Sequence, residues 1–436
     1  TGSGQNGWKG CLRMNNGMVP GMVKEADAQQ SKGSVKVCMH VRGVVRTDGR
    51  VLREARALVE AGFRVTILDI EQDLTRPAEE EIDGIQVKHL MRPTWFTHTG
   101  SKPMRFVKSV EKIVYSALQL IKMPADIYHA HDVTALPASY LAACLHRKPL
   151  VFDAHELPLN ELDGTGKKWF LALSTRLLSI ILQRCAGIIT VSSPIAQEIC
   201  RRFHVAHVSL VRNILAYQTP LKSNRLHHYL GVNPEKRLVL YQGNLQEDRD
   251  LDTLVRAAAY LAEDSMIVLM GKAIGATQAQ LEALIADEGV ADRVKILPPV
   301  PYANLLEWTT SADIGVIINS PDHSFNVRMS LPNKLFEYLM AGLPVLASPL
   351  DAVAQVIRSY DVGHILPSLS PADVGATINS ILADRATLSR WSDNARDAAQ
   401  RDLCWEKESQ HLIHLYQAIL TKRDEVISDQ HYAKTV

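Results

Sequence analysis

The sequence predicts an α/β chain of two doubly wound parallel-sheet domains in tandem, and three observations carry that expectation. From Val35 onward, short β-branched and aliphatic runs alternate with stretches of helical periodicity, which is the pattern of βαβ units. The alternation pauses in a polar interval, 218–235, that holds Pro220, Gly231 and Pro234, and then restarts. The length, 436 residues, exceeds what one hydrophobic core ordinarily fills.

Residues 1–34, opening on Thr1-Gly2-Ser3-Gly4, are polar, Gly-rich and aperiodic, and are expected to be a disordered tail that is partly an expression scar. A first domain is expected over 35–217. Its strands read as 35–41, 65–70, 85–91, 126–131, 150–153 and 187–191, each short and apolar at its centre. Helical periodicity fills 50–61, 103–122, 134–145 and 166–184, and Gly62-Phe63-Arg64 stops the first of these helices. Beyond a linker at 218–235, a second domain over 236–402 repeats the plan. Its strands read as 238–242, 266–270, 294–297, 314–318, 344–347 and 363–365, with helices at 251–263, 277–287, 303–310, 333–341, 371–384 and 386–399. The last helix, 405–421, has no strand after it, so the segment 403–436 is expected to cross back to the first domain. Open α/β sheets bind ligands at the carboxyl ends of their strands, so the function is expected between the domains.

Charge and cysteine content remove several classes. Lys plus Arg, 48, nearly cancels Asp plus Glu, 47, which speaks against a nucleic-acid partner. The halves differ: about 28 basic against 20 acidic residues up to position 215, and about 20 against 27 beyond it. Six scattered cysteines without a Cys-x-x-Cys pair or a matching His spacing argue against both a disulfide framework and a zinc site. No apolar run approaches the ~20 residues that span a bilayer and no signal-peptide pattern is visible, so the expected location is cytoplasmic, extending to the inner face of the membrane. Arg105, Lys108 and Lys112 share one side of the helix near 103–114. That side suits a solvated face over a core or peripheral contact with an anionic membrane. No Gly-x-Gly-x-x-Gly follows the first strand, which counts against a dinucleotide oxidoreductase.

The most informative segment runs Ser330-Leu331-Pro332-Asn333-Lys334-Leu335-Phe336-Glu337-Tyr338-Leu339-Met340-Ala341-Gly342-Leu343-Pro344-Val345. Pro332 suits the first turn of a helix, whose free N–H groups and dipole favour an anion, and Lys334 adds a cation there. Glu337, at i+3 from Lys334, is placed to accept two hydroxyl protons such as a ribose offers; the plainer reading is a surface Lys-Glu pair.

This segment resembles the Pro-Asn-Lys-Leu-Phe-Glu-Tyr helix followed by Ala-Gly-x-Pro-Val of family 4-like glycosyltransferases with the GT-B fold of two Rossmann-like domains. Leu240-Tyr241-Gln242-Gly243-Asn244 with Arg249-Asp250-Leu251 is similar to the first strand and loop of that family's donor domain. Leu210-Val211-Arg212-Asn213 and Ala312-Asp313-Ile314-Gly315-Val316 are similar to two further family segments. The resemblance implies a retaining transfer of sugar from a nucleotide diphosphate sugar to a hydroxyl of a glycan, lipid-linked or small-molecule acceptor, in polysaccharide or glycoconjugate synthesis. It implies donor binding by Gly243, Asn244, Arg249, Ser330, Asn333, Lys334, Leu335 and Glu337, with Arg249 and Lys334 on the diphosphate. It places an important histidine at His131, which ends a strand as His129-Ala130-His131-Asp132; a backbone-satisfied histidine is the plainer alternative.

On the acceptor side, Asp132, the cluster Asp153, His155 and Glu156, and the first-loop residues Arg42 and Arg46 are the expected contacts. Asp48 caps a helix or meets substrate. The pairs Asp248/Asp250 and Asp250/Asp252 formally spell Asp-x-Asp, yet Asp250 or Asp252 suits a helix N-cap, so no metal and no cofactor is expected. Two departures from the family pattern stand out: Met329 occupies the place of a carboxylate eight residues before Glu337, and Asn244 replaces an arginine. The rival expectations are a nucleotide-sugar 2-epimerase of the same architecture, and a non-catalytic nucleotide-sugar or glycan-binding subunit.

Overall fold

The computed structural model describes residues 34–71, 73, 75–91, 102–160 and 168–432. Residues 1–33 of the tail expected at 1–34, and the Arg105 side chain, lie outside the described residues.

The N-terminal sheet contains β1 (Lys36–His40), β2 (Arg64–Asp69), β3 (Glu79–Ile82), β4 (Ile85–His89), β5 (Ile127–His131), β6 (Leu150–Ala154), β7 (Gly187–Thr190) and β8 (Ser209–Leu210). Their order is β3-β4-β2-β1-β5-β6-β7-β8, parallel except for the antiparallel β3–β4 pair. The crossovers are α1 (Gly49–Glu60), α2 (Lys102–Ile121), α3 (Asp132–His146), α4 (Lys168–Leu182) and α5 (Ser193–Phe203). Helices cover both faces, so the central strands are buried throughout. Even the two histidines of β5 are fully enclosed.

The C-terminal sheet contains β9 (Arg237–Gln242), β10 (Ser265–Met270), β11 (Val294–Leu297), β12 (Ile314–Ile317), β13 (Val345–Ala347) and β14 (Gly363–Ile365), all parallel, in the order β11-β10-β9-β12-β13-β14. Around it lie α6 (Arg225–Leu230), α7 (Leu251–Ala257), α8 (Thr277–Asp287), α9 (Leu305–Thr309), α10 (Phe325–Met329), α11 (Asn333–Met340), α12 (Asp351–Tyr360), α13 (Pro371–Ala383) and α14 (Arg385–Arg401). The strand order reverses between β1 and β5 in one sheet and between β9 and β12 in the other. Those two switch points, at the strands' carboxyl ends, are where such sheets open a crevice.

The interval 218–235, expected as a linker, contains α6. Leu226 is fully buried in the C-terminal core, and Thr310 Oγ1 donates to Leu221 O at 3.0 Å. These contacts place most of the interval in the second domain. The long α15 (Trp405–Tyr432) leaves that domain and lies against the first. Leu412, Tyr416 and Ile419 join Val37, Met39, Val51 and Ala55 in one core cluster. Arg212, just past β8, binds Glu408 of this helix through Nη2 at 2.7 Å and Nε at 3.0 Å.

Candidate active site

At the β9 switch point, the chain turns at Gly243 with φ 125°, a region that favours glycine. Its carbonyl lies so close to Gly271, after β10, that a Cβ there would sit 1.7 Å from the oxygen. The two glycines let the loop ends approach, and the Lys334 side chain of α11 lies close enough that a Cβ on Gly243 would be 3.4 Å from its ammonium. That helix begins after Pro332, which is the N-cap rather than the first helical residue, and no side chain caps it. Its packing is tight: Tyr338 lies against Gly315 of β12, where a Cβ would come within 2.6 Å of the ring. The Tyr338 hydroxyl accepts the Gln242 N–H at 3.1 Å and is 3.1 Å from Leu240 O, to which it donates. The helix end is thereby fixed to the end of β9.

Lys334 lies against this loop with its ammonium 3.6 Å from the centre of the Tyr241 ring, a cation–π contact. Among the described residues no carboxylate forms an ion pair with it. Burial, together with the like charge of Arg249 nearby, lowers its pKa to about 7. Glu337 is not its surface partner. The Glu337 carboxylate accepts the side-chain amide of Gln242, whose own oxygen accepts from Thr309 Oγ1 at 2.7 Å. Burial raises the Glu337 pKa against the lowering effect of that hydrogen bond. Arg249 ends a short 3-10 turn, Glu247–Arg249, and is 3.4 Å from Asp248 Oδ1. The assembly is an uncapped helix start, two neighbouring cations and an oriented carboxylate at the carboxyl end of β9.

Several donor-side expectations change. Leu335 is wholly buried in the core and its N–H donates to Pro332 O at 3.0 Å, so it offers nothing to a ligand. Asp250 is the N-cap of α7 without a capping bond; its carboxylate accepts Ser320 N–H instead. Asn244 is exposed beside Gly243, Ser330 donates its N–H back to Asn326 O at 2.9 Å, and the Asn333 amide oxygen accepts from Asn213 of the first domain at 3.0 Å.

Across the cleft, Asp153 at the end of β6 is fully buried and cannot touch an acceptor in this conformation. The Arg50 guanidinium holds it through Nε and Nη2, both at 2.8 Å. Burial alone would raise the Asp153 pKa, but Arg50, then His155 and His131, holds it well below the ordinary carboxylate range. His131 is equally closed to solvent, its Nδ1 3.3 Å from Asp153 Oδ2. It therefore does not line the open cleft. His155 is partly exposed, 3.2 Å from the same oxygen. Asp132, the first residue of α3, is partly exposed and adopts φ 68°, an unusual conformation for a residue with a side chain. Arg42 reaches Thr134 O at 3.5 Å, whereas Arg46 is paired with Glu80. Asp48 caps α1, accepting Val51 N–H at 3.1 Å.

Glu156 accepts the Asn326 amide at 2.8 Å, and Leu157 N–H donates to Asn326 Oδ1 at 3.0 Å, so α10 bridges the domains. Ser192 Oγ donates to Met329 O at 2.6 Å, and the Met329 side chain packs against the N-terminal core. The position that lacks the family's carboxylate serves as an interdomain contact.

Comparison with known proteins fits this geometry. Residues 49–215 match the model of Glycosyltransferase Family 4, and residues 223–398 match that of Glycosyl transferases group 1. The chain belongs to the group 1 glycosyltransferases of the GT-B fold. The D-inositol 3-phosphate glycosyltransferase of Xylanimonas cellulosilytica is 25% identical over 395 residues, covering 86% of this chain and 91% of its own. Among solved structures, sucrose-phosphate synthase from Thermosynechococcus elongatus superposes with a TM-score of 0.70 at 17% identity, over 89% of this chain and 100% of the other. HepE of Anabaena, in complex with UDP and glucose, superposes at 0.66 with 15% identity, over 88% and 100%. Both family models describe transferases, so the epimerase and non-catalytic alternatives are not favoured.

Sequence reasoning about this glycosyltransferase missed Gln242, Tyr241, Gly271, Arg50 and Asn326. A weak signal existed for the first two, which precede Gly243 directly; Arg50 and Asn326 act through partners more than 100 residues away.

Proposed function

We propose that this group 1 glycosyltransferase takes a UDP-sugar in the C-terminal domain and transfers its hexosyl group, with retention, to a hydroxyl of an anionic acceptor held by the N-terminal domain. One observation carries the reading: the partly buried Lys334 ammonium, unpaired among the described residues, beside Arg249 at an uncapped helix start. Such an arrangement stabilises charge that grows on a departing diphosphate. Glu337, oriented by Gln242, accepts ribose hydroxyls. UDP is favoured as the nucleotide because HepE is described in complex with it. The C1–O bond to the diphosphate breaks, a C1–O bond to the acceptor forms, and the acceptor proton passes to the departing phosphate oxygen. No metal or cofactor is invoked in this step.

Asp132 and Arg42 face the acceptor. An anionic, phosphorylated polyol or glycan acceptor fits Arg42, and the matched relatives named for D-inositol 3-phosphate support that class. Lys334→Ala and Arg249→Ala each lower transfer by about 10²–10³-fold, the loss typical of one preorganised donor to a transition state. Near-normal turnover in both variants would refute the site.

A second property belongs to this reading. Among the described residues no helix is long and apolar enough to cross a membrane. Yet α2, α3 and α4 cover one face of the N-terminal sheet and turn Val110, Val114, Leu118, Leu145, Trp169 and Leu177 outward, Trp169 with 74% exposure. Lys112 and Arg176 lie on the same helices. We infer that this face rests on an anionic bilayer, where a patch of apolar and basic groups is stable. Co-flotation with phosphatidylglycerol vesicles and its loss in Trp169→Ser/Leu177→Ser test this; equal flotation with neutral vesicles or none at all refutes it.

A further inference from the structure

Beneath the acceptor side lies a cluster that the proposed transfer does not use. His129 and His131 alternate on one face of β5, their rings stacked with centres 4.2 Å apart. Glu54 of α1 and Asp153 of β6 face them, and one donor atom from each of the four side chains lies within 4.8 Å of every other. All four residues are closed to solvent. Asp153 is occupied by Arg50, but Nε2 of His129, Nε2 of His131 and both oxygens of Glu54 lack a hydrogen-bond partner. Glu54 Oε1 is 3.1 Å from Arg50 Nη2 without the alignment of a hydrogen bond. Orphaned buried polar atoms are rare, and three adjacent side chains carrying them call for a shared partner.

We propose that Glu54, His129 and His131 bind one divalent first-row metal ion, Zn²⁺ in the first instance, with Asp153 completing or flanking the set. The outer contacts orient the rings as metal-ligating histidines require. Nδ1–H of His131 donates to Asp153 Oδ2 and leaves Nε2 with a lone pair. His129 Nδ1, 2.8 Å from Tyr416 Oη of α15, is oriented the same way when its N–H donates to that oxygen. Two imidazoles and a carboxylate suit zinc, whose Zn–N bonds of about 2.0–2.1 Å draw the donors together on loading. A single proton on Glu54 would satisfy only one of the open acceptors; a metal ion engages all three residues. Zinc-finger spacing is absent because β5 supplies its two ligands at i and i+2 and α1 supplies the third. The ion stands apart from the donor diphosphate. It ties β5 and α1 into one rigid unit beneath Asp132, so its role is structural.

The test uses the full chain, stripped with a chelator and reloaded with Zn²⁺ or Co²⁺. About one equivalent per chain is expected to survive gel filtration by elemental analysis, with visible ligand-field absorption for Co²⁺. Glu54→Gln and His129→Gln should abolish uptake while far-ultraviolet circular dichroism remains that of the parent. Retention of metal by both folded variants would assign it to surface histidines and overturn the proposal. So would a wild-type chain that takes up none, in which case a buried water or proton fills the cluster. Should a variant fail to fold, release kinetics decide: a buried ion leaves slowly on adding chelator, whereas loss on mixing overturns the site.

Discussion

In the proposed donor site, Lys334 sets the pH behaviour. Its folded pKa, about 7, lies below the ordinary 10.5. The unfolded chain therefore holds that proton more tightly, and the residue's contribution to stability rises with pH between those values and is smallest below about 7. Diphosphate binding reverses the balance, because the anion favours the charged ammonium. At pH 8 UDP binding should take up as much as about one proton, and affinity should fall by up to about tenfold per unit as pH rises further. Calorimetry at pH 8 in two buffers of different ionisation heat reads this directly; zero uptake would show that the ammonium does not meet the diphosphate. Lys334 and Glu337 were legible in the sequence because their spacing on one helix determines a shared side. Asp153 and His131 were misread because a polar residue at a strand end looks the same whether it faces a cleft or an ion pair such as that with Arg50, 103 positions away.

At the scale of elements, the site depends on how α11 is seated on β9 and β12. Tyr338 joins them through its hydroxyl and through the space that Gly315 leaves. Tyr338→Phe strands the buried Gln242 N–H, a loss of about 1–3 kcal/mol. The expected result is a lower urea midpoint at unchanged m-value and weaker UDP binding, since Gln242 also orients Glu337. Unchanged nucleotide affinity in a destabilised variant would separate the seating from the site. Most strands could be read from their apolar centres. The edge strand β3 could not, because its sequence Glu79-Glu80-Glu81-Ile82 shows no apolar alternation, and β8 has only two residues. The helix α5 carried a readable start, Ser192 capping Ile195 N–H with a proline following, that the strand-centred reading passed over.

At the scale of the molecule, the domains meet through α10, through Asn213 and Asn333, and through α15. The buried Arg212–Glu408 pair fixes α15 where it first reaches the N-terminal domain, with Glu408 fully enclosed. Glu408→Ala leaves a guanidinium and a backbone N–H without their acceptor and should cost about 3–5 kcal/mol. A thermal midpoint within a degree of the parent would show that the pair contributes little. The tandem architecture was legible because each half repeats the same alternation. Domain contacts were not, since Asn326 and Met329 carry no signal of their partners, and the surrounding helix α10 is only five residues long.

The crossing of α15 has a further consequence for how the chain is held together. The exposed stretch 218–222 is one of two backbone passages between the halves, and the turn into Trp405 is the other. A single proteolytic cut in the first passage therefore separates two fragments by sequence without parting them in space. The C-terminal piece keeps its terminal helix embedded in the N-terminal one, and both should travel as one body until denaturant frees them.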